Sequence, residues 1–523
     1  MAKDSSPIFV IGVPRSGTTL LRVLLDSHPG IAAGPETPWF CAHHPRTLGA
    51  LVEYLCGDPL GYCANFDGSR EEVFAAARVF VDTLLSSYAR RKGKRRWAEK
   101  TPDNLLFLPF LKELFPEARF LHLRRNPLDT GLSTSVVPAH RKGVTPFNET
   151  ELALFFGLSV KNNVFNAVLR WVHWERKIAA GLTAVEVLPV CYEELVKAPE
   201  VTLRRILEFV NEPWAPEVMN FMAAKHEFPA WEWGSADVVH YSESATGIST
   251  GSAGRAEREL PPVDREILDS LIRSEDASAD ILPQVRLAIV EELQSEKFTR
   301  LVNWINAFAE PAGLLVLPAG AKHWEYPWLR FHALGKVHWP GKRLVDVGSG
   351  NSSLPWILAM LGAQVTLIET DAQWIPHWEK LRDGLGVSVD WRITPDLAAT
   401  LPDACADVLT SLSALERHPD KTAAIEDYAR LLRPSGLLAM AFGIGEAGMH
   451  FPPWFGAAVS MEEFGDLVWK HPAFGGHSHV EWNTGDIPAF QWWHLHTHEH
   501  RDYVTGAAVL RRAGKNHETS CSD

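Results

Sequence analysis

The chain has 523 residues, 46% hydrophobic and 22% charged, which is the balance of a globular protein and too long for one ordinary domain. A formal net charge of -13 argues against a general nucleic-acid binder, so anionic ligands must be held by local arginines, lysines and helix N-termini. The six cysteines (Cys41, Cys56, Cys63, Cys191, Cys405, Cys521) form no CxxC pair, no run of about 18 apolar residues occurs, and residues 1–7 carry no export signal; a reduced, cytoplasmic compartment and no membrane association are expected.

Ile8–Ile11 reads as a buried strand, residues 12–19 (GVPRSGTT) as a glycine-rich turn, and residues 20–27 as an amphipathic helix. The turn departs from the phosphate-binding loop GxxxxGK[ST] because Thr18 stands where the lysine should be and the cation has moved inside the loop as Arg15. A nucleoside triphosphate would lose its contact to the outer phosphates. A ligand with a single 5′ phosphate needs less: backbone N–H groups and the hydroxyls of Ser16, Thr18 and Thr19 can hold it while Arg15 neutralises its charge. Further on, residues 120–133 (FLHLRRNPLDTGLS) place Arg125 at a strand end and Ser133 eight residues later on the following helix, where both can converge on one phosphate; Arg124, its neighbour, is expected to be an ordinary salt-bridge partner.

These motifs resemble the sulfotransferases that use 3′-phosphoadenosine 5′-phosphosulfate. Pro14 to Pro29 (PRSGTTLLRVLLDSHP) is similar to their 5′-phosphosulfate loop and helix, residues 120–133 to their 3′-phosphate motif, and residues 190–196 (VCYEELV) to a later segment in which Tyr192 approaches the cofactor. The resemblance runs over about 255 residues. It implies that Glu36, in GPET (34–37), is the catalytic glutamate of the tyrosylprotein and bacterial relatives, set to take the acceptor's proton. It also implies that Lys100, in WAEKTP (97–102), neutralises the leaving oxygen, with Arg15 supplying charge only. Arg255, in TGSAGR (250–255), resembles a basic residue that closes over the cofactor, although the tryptophan that follows it in relatives is missing; Ser242 and Ser249 are further late-loop candidates. The bland alternatives are a solvated or capping carboxylate for Glu36 and a surface lysine beside the basic run 90–96 for Lys100.

Residues 273–280 are polar, small and acidic, the composition of an exposed joint, and 283–309 reads as helix. The expected division is 1–275 for the first domain, 276–320 for a linker and helical bridge, and 321–523 for the second domain.

A second strand–turn–helix start follows at 343–361. VDVGSGN (345–351) has the form of the first motif of class I S-adenosylmethionine-dependent methyltransferases, with Asp346, Gly348 and Gly350 at the turn. The strand QVTLIE (364–369) ends in Glu369, the acid placed for ribose hydroxyls, and DWRITPD (390–396) ends in Asp396, suited to the adenine amino group. The turn is not GxGxxG, so the NAD reading is disfavoured. DVLTSLSALE (407–416), LLRPSG (431–436, with Ser435 for a glycine) and a closing antiparallel strand at 503–511 extend the resemblance. Methyl transfer depends on alignment more than on a base; Glu416 and His418 lie where acceptors are met, and His494, His496, His498 and His500 share one strand face without a familiar metal-ligand spacing, so no metal is assigned.

The expectation is an α/β protein of two domains, a P-loop-like sulfotransferase parallel sheet and a Rossmann-like class I methyltransferase sheet. It would be a bifunctional transferase using 3′-phosphoadenosine 5′-phosphosulfate and S-adenosylmethionine on small-molecule acceptors, in the tailoring of a natural product. The alternatives are a P-loop kinase fused to a methyltransferase, disfavoured by the missing loop lysine, and a chain in which one domain is active and the other only binds.

Overall fold

The computed structural model describes residues 6–40, 47–135, 164–227, 248–318, 320–395, 400–445, 458–475, 482–488 and 504–514. Over these residues the chain forms two compact units, 1–146 with 171–259 and 147–170 with 260–523.

The first unit is built on a five-stranded sheet: β1 (Ile8–Ile11), β2 (Ile31–Ala33), β3 (Arg96–Lys100), β4 (Arg119–Arg124) and β5 (Glu186–Cys191), in the order β2-β3-β1-β4-β5. Every pairing is parallel. All four residues of β1 are buried, as expected of a central parallel strand covered on both faces. Phe9 stacks on Phe120 at 5.4 Å and meets Trp97 edge-on at 5.7 Å on one face. On the other, Ile8 and Val10 pack with Leu21, Leu24 and Leu25 of the helix Thr18–Asp26. Because β3 and β4 lie on opposite sides of β1, the turn leaving β1 opens where the strand order reverses, which is where α/β sheets bind ligands.

The second unit has seven strands: β6 (Gln284–Leu287), β7 (Arg343–Val347), β8 (Gln364–Glu369), β9 (Val389–Ile393), β10 (Ala406–Leu412), β11 (Leu432–Ile444) and β12 (Val504–Arg511), ordered β6-β12-β11-β10-β7-β8-β9. β7 to β11 run parallel, and β12 is antiparallel to both of its neighbours, β11 and β6. The α/β class and both sheets are therefore as the sequence leads one to expect.

The region before β7 differs from its sequence reading. Residues 283–309 are not all helix: Gln284–Leu287 is a strand, followed by helices Val290–Leu293 and Glu296–Ala309. Edge pairing with β12 decides this, through the register Gly506↔Leu287 to Val509↔Gln284, and local periodicity cannot see it. Nor is 273–280 a free joint. Asp276 pairs with Lys342 at 2.6 Å, Ala277 N–H donates to Lys336 O, and Arg511 donates to Ser278 O. The helix Pro262–Ile272 falls in the second compact unit, where its Asp264 meets Arg300 at 3.0 Å.

Candidate active sites

The chain leaves β1 in a tight turn closed by Ser16 N–H donating to Val13 O. A side chain at Gly12 would sit 2.5 Å from Leu123 O and 2.8 Å from Ser16 Oγ. Gly17 has φ +100°, and a Cβ there would come 2.4 Å from the ring of Tyr192, the first residue of the helix Tyr192–Lys197. Arg15 has φ 74°, a left-handed conformation costly for a residue with a side chain and typical of functional loops.

Arg15 then links the other candidates. Its Nε donates to Ser133 Oγ at 3.3 Å, and its carbonyl accepts from Arg125 at 3.2 Å. Arg125 lies 4.6 Å over the Tyr192 ring and donates to Ser252 O at 2.5 Å. Thus Pro14, Arg15, Ser16, Gly17, Arg125, Ser133 and Tyr192 are gathered around one turn, with Arg125 and Ser133 joined through Arg15. Arg124 points away into an ion pair with Glu175 at 3.0 Å. Burial lowers the pKa of the Arg125 guanidinium. Two buried polar atoms here, Ser16 Oγ and Arg125 Nε, have no hydrogen-bond partner among the described residues. A bound anion fits them, since buried polar groups are rarely left unsatisfied.

Asp129 accepts from Gly254 N–H at 2.7 Å and Ala256 N–H at 2.6 Å, which fixes the turn carrying Ser252 over Arg125. Arg255 is not brought onto Arg125; it pairs with Glu259 at 2.7 Å. Ser249 Oγ accepts from Gly251 N–H, and Ser242 lies outside the described residues. Phe40 is core, edge-on to Phe9 at 6.0 Å.

Lys100, at the end of β3, has a side chain only 1% exposed; its ammonium donates to the Glu36 carboxylate and, at 3.2 Å, to Thr19 Oγ1. Thr18 is buried beside it at the start of the same helix. The cation missing from the loop sequence is therefore replaced in space by a lysine from a neighbouring strand.

Sequence reasoning passed over Glu99. Its Oε1 accepts from Thr37 N–H at 3.3 Å, Thr37 Oγ1 at 2.8 Å and Thr101 Oγ1 at 2.5 Å, while Oε2 accepts from Asn104. It clamps the residue next to Glu36. The only signal was a carboxylate inside a strand whose five residues are all buried. Burial outweighs the donated bonds and pushes its carboxyl from 4.5 up to about 7. The folded state then holds that proton more tightly than the unfolded chain. Stability from this group is complete below about 4.5 and is lost as the pH rises through about 7. Melting curves of wild type and Glu99→Gln should show the wild-type advantage shrinking between about pH 5 and 8; a constant difference would refute the assignment.

In the second unit Gly348 (φ 74°) and Gly350 (φ 46°) shape the turn after β7, and a Cβ on Gly348 would lie 2.5 Å from Ala414 Cβ. Glu369, ending β8, faces this turn: its Oε2 accepts from Gly350 N–H at 3.0 Å and its Oε1 from Thr370 N–H at 2.8 Å. Trp378 donates to Gly350 O at 3.0 Å. Asp346 is buried, accepts from Thr410 Oγ1, and burial raises its carboxyl to about 6. Ser353 Oγ, buried at the start of the helix Leu354–Met360, has no partner among the described residues. The turn and the acid fit a ligand offering hydroxyls and a carboxylate. Asp396 and His494, His496, His498 and His500 lie outside the described residues. Glu416 is buried and accepts from Gly443 N–H at 2.6 Å, with its carboxyl raised to about 7 by burial. His418 accepts from Asp420 N–H at 3.3 Å.

A phosphate-type loop heads the parallel sheet of the first unit, and a glycine turn faces an acid at the head of the mixed sheet of the second. Residues 7–216 match the model of the sulfotransferase family and residues 345–440 that of a methyltransferase domain, so the chain joins a sulfotransferase-family domain to a methyltransferase domain. Nodulation protein NoeE of Sinorhizobium fredii is 32% identical over 223 residues, 40% of this chain and 51% of that protein. Protein-tyrosine sulfotransferase A of Caenorhabditis elegans is 29% identical over 222 residues, 42% of this chain and 53% of that protein. The chain thus spans about half the length of these curated relatives. Among solved structures, the sulfotransferase domain from the curacin biosynthetic pathway aligns with 52% of this chain and 99% of its own, at 17% identity and a TM-score of 0.35.

Proposed function

We propose that the first unit transfers a sulfuryl group from 3′-phosphoadenosine 5′-phosphosulfate to a hydroxyl of a small acceptor, and that the second transfers a methyl group from S-adenosylmethionine. The observation that carries the first assignment is Lys100, held between Glu36 and the start of the loop helix beside the Arg15–Ser133–Arg125 group. Ser16, Thr18, Thr19 and the loop amides hold the 5′ phosphate, and Arg125 with Ser133 the 3′ phosphate. Glu36 takes the proton of the attacking hydroxyl as the new S–O bond forms. Lys100 and Arg15 stabilise the negative charge left on the phosphate as the old S–O bond breaks. A kinase reading is not favoured, since the family match and the loop departure agree.

In the second unit the cofactor supplies a methyl group on a sulfonium. Gly348 and Gly350 offer amides to its carboxylate, Glu369 accepts from its ribose hydroxyls, Asp396 from its adenine, and Asp346 braces the turn from below. Natural-product tailoring in the cytoplasm is the setting this reading suggests; no helix among the described residues is long and apolar enough to cross a membrane. Mass spectrometry of a panel of hydroxyl-bearing acceptors given each donor separately tests both halves. Modification with neither donor would refute the enzyme reading. Glu369→Gln should weaken S-adenosylhomocysteine binding about tenfold and leave sulfuryl transfer unchanged, because the two sites stand on separate cores. An equal loss in both activities would show the variant to be misfolded or the assignment wrong.

A further inference from the structure

Arg330 lies in the helical turn Trp328–Ala333 and is 1% exposed, yet none of its three guanidinium nitrogens has a hydrogen-bond partner among the described residues. The guanidinium lies over the face of the Phe331 ring, 4.8 Å from its centre. No ion pair involves it among the described residues, and burial pushes its pKa down to about 9. An unpaired buried cation is among the costliest features a fold can keep, and it is tolerated where a ligand supplies the missing charge.

Its place says which ligand. The segment is anchored at its start beside the glycine turn, through Tyr326 OH donating to Ser352 Oγ at 2.9 Å and Lys322 Nζ to Ser413 Oγ at 2.7 Å. Trp328–Ala333 then packs on β11 and β12. Those strands lie on the far side of β10 from β7 and β8, away from Gly350 and Glu369. Two further buried oxygens on that half have no partner among the described residues: Thr505 Oγ1, opposite Gly443 at the start of β12, and Glu416 Oε2, whose other oxygen accepts from Gly443 N–H. On the methyltransferase reading the glycine turn and Glu369 would hold the cofactor, which leaves this unsatisfied half for the other reactant.

We propose that Arg330 anchors the methyl acceptor and that this acceptor carries an oxyanion, either a carboxylate or a sulfate ester. The inference rests on reading the second unit as a methyltransferase. A sulfate ester would place methylation after the sulfuryl transfer, since the first unit's product would be the second unit's substrate.

The test uses the full chain, with phenyl sulfate and benzoate as the two anionic probes, phenol as the neutral one, and thermal unfolding in the presence of S-adenosylhomocysteine as the readout. At least one anion should raise the melting temperature by about 2–4 °C where phenol does not. A response to phenyl sulfate alone assigns the sulfate ester, and a response to benzoate assigns the carboxylate. Arg330→Met should abolish the response and Arg330→Lys retain part of it. Without ligand Arg330→Met should melt higher than wild type, because an unpaired buried charge has been replaced by an apolar side chain; a structural arginine would give the opposite sign. S-adenosylhomocysteine affinity should stay within about twofold, and a tenfold loss would put Arg330 on the cofactor and overturn the proposal. No anion response in a wild-type chain that answers to S-adenosylhomocysteine overturns the anchor alone. No response to S-adenosylhomocysteine at all overturns the methyltransferase reading beneath it.

Discussion

Glu36→Gln is expected to lower sulfuryl transfer by about 10²–10⁴-fold, the usual loss when a general base is removed, while 3′-phosphoadenosine 5′-phosphate binds within about threefold of wild type. The split follows from what each group touches. Glu36 is 22% exposed and, among the described residues, makes no hydrogen bond or ion pair with Arg125 or Ser133, which would hold the 3′ phosphate. Gln is the right replacement because its carbonyl can still accept from Lys100, whose side chain is almost fully buried and would otherwise be left without that partner. A drop caused by a stranded Lys100 would appear as a lower melting temperature and weaker nucleotide binding together. A drop caused by the lost base would appear in turnover alone. Single-turnover rates, nucleotide titration and melting curves on the same preparation separate the two, and near wild-type turnover would remove Glu36 from the mechanism.

Arg125→Ala is expected to weaken 3′-phosphoadenosine 5′-phosphate binding about 10–150-fold, from a charge-assisted contact of roughly 1.5–3 kcal/mol. Its buried Nε is free to meet an anion, and its other nitrogens are held by Arg15 O and Ser252 O, so the guanidinium is already oriented. Removing it also takes away the group stacked on Tyr192, which in turn covers Gly17. That second effect is structural and would weaken any nucleotide. Adenosine 5′-phosphosulfate, which lacks the 3′ phosphate, therefore serves as the control: its affinity should change by no more than about threefold. Equal losses for the two ligands would make Arg125 a support for Tyr192 and not a phosphate ligand.

Much of this was written locally. β1 and β7 could be read from sequence because short apolar runs ending in glycine turns have few other solutions, and the turn residues Gly17, Gly348 and Gly350 do adopt positive φ. The two sheets and the antiparallel closing strand were what the family resemblances implied. Ser435, standing for a glycine, still takes φ 65°, so the backbone shape outlasted the residue best suited to it. Arg124 and Arg125 show the limit of such reading: they are adjacent and chemically identical, and spacing to Ser133 only favoured one. The structure sends Arg124 out to Glu175 and buries Arg125 against Tyr192, because successive residues at a strand end face opposite ways.

What the sequence alone determined was therefore the pair of strand–turn–helix starts and the residue types around them. Those depend on interactions within a few residues, where backbone sterics and side-chain chemistry suffice. Only the tertiary structure decided that Lys100 reaches the start of the loop helix, that Glu99 clamps the Glu36 segment, that Gln284–Leu287 is a sheet edge, and that Arg330 is buried without a hydrogen-bond partner among the described residues. Each of these depends on groups distant in sequence meeting at a place fixed by strand order, and on whether water is excluded there. A residue's neighbours along the chain carry neither fact.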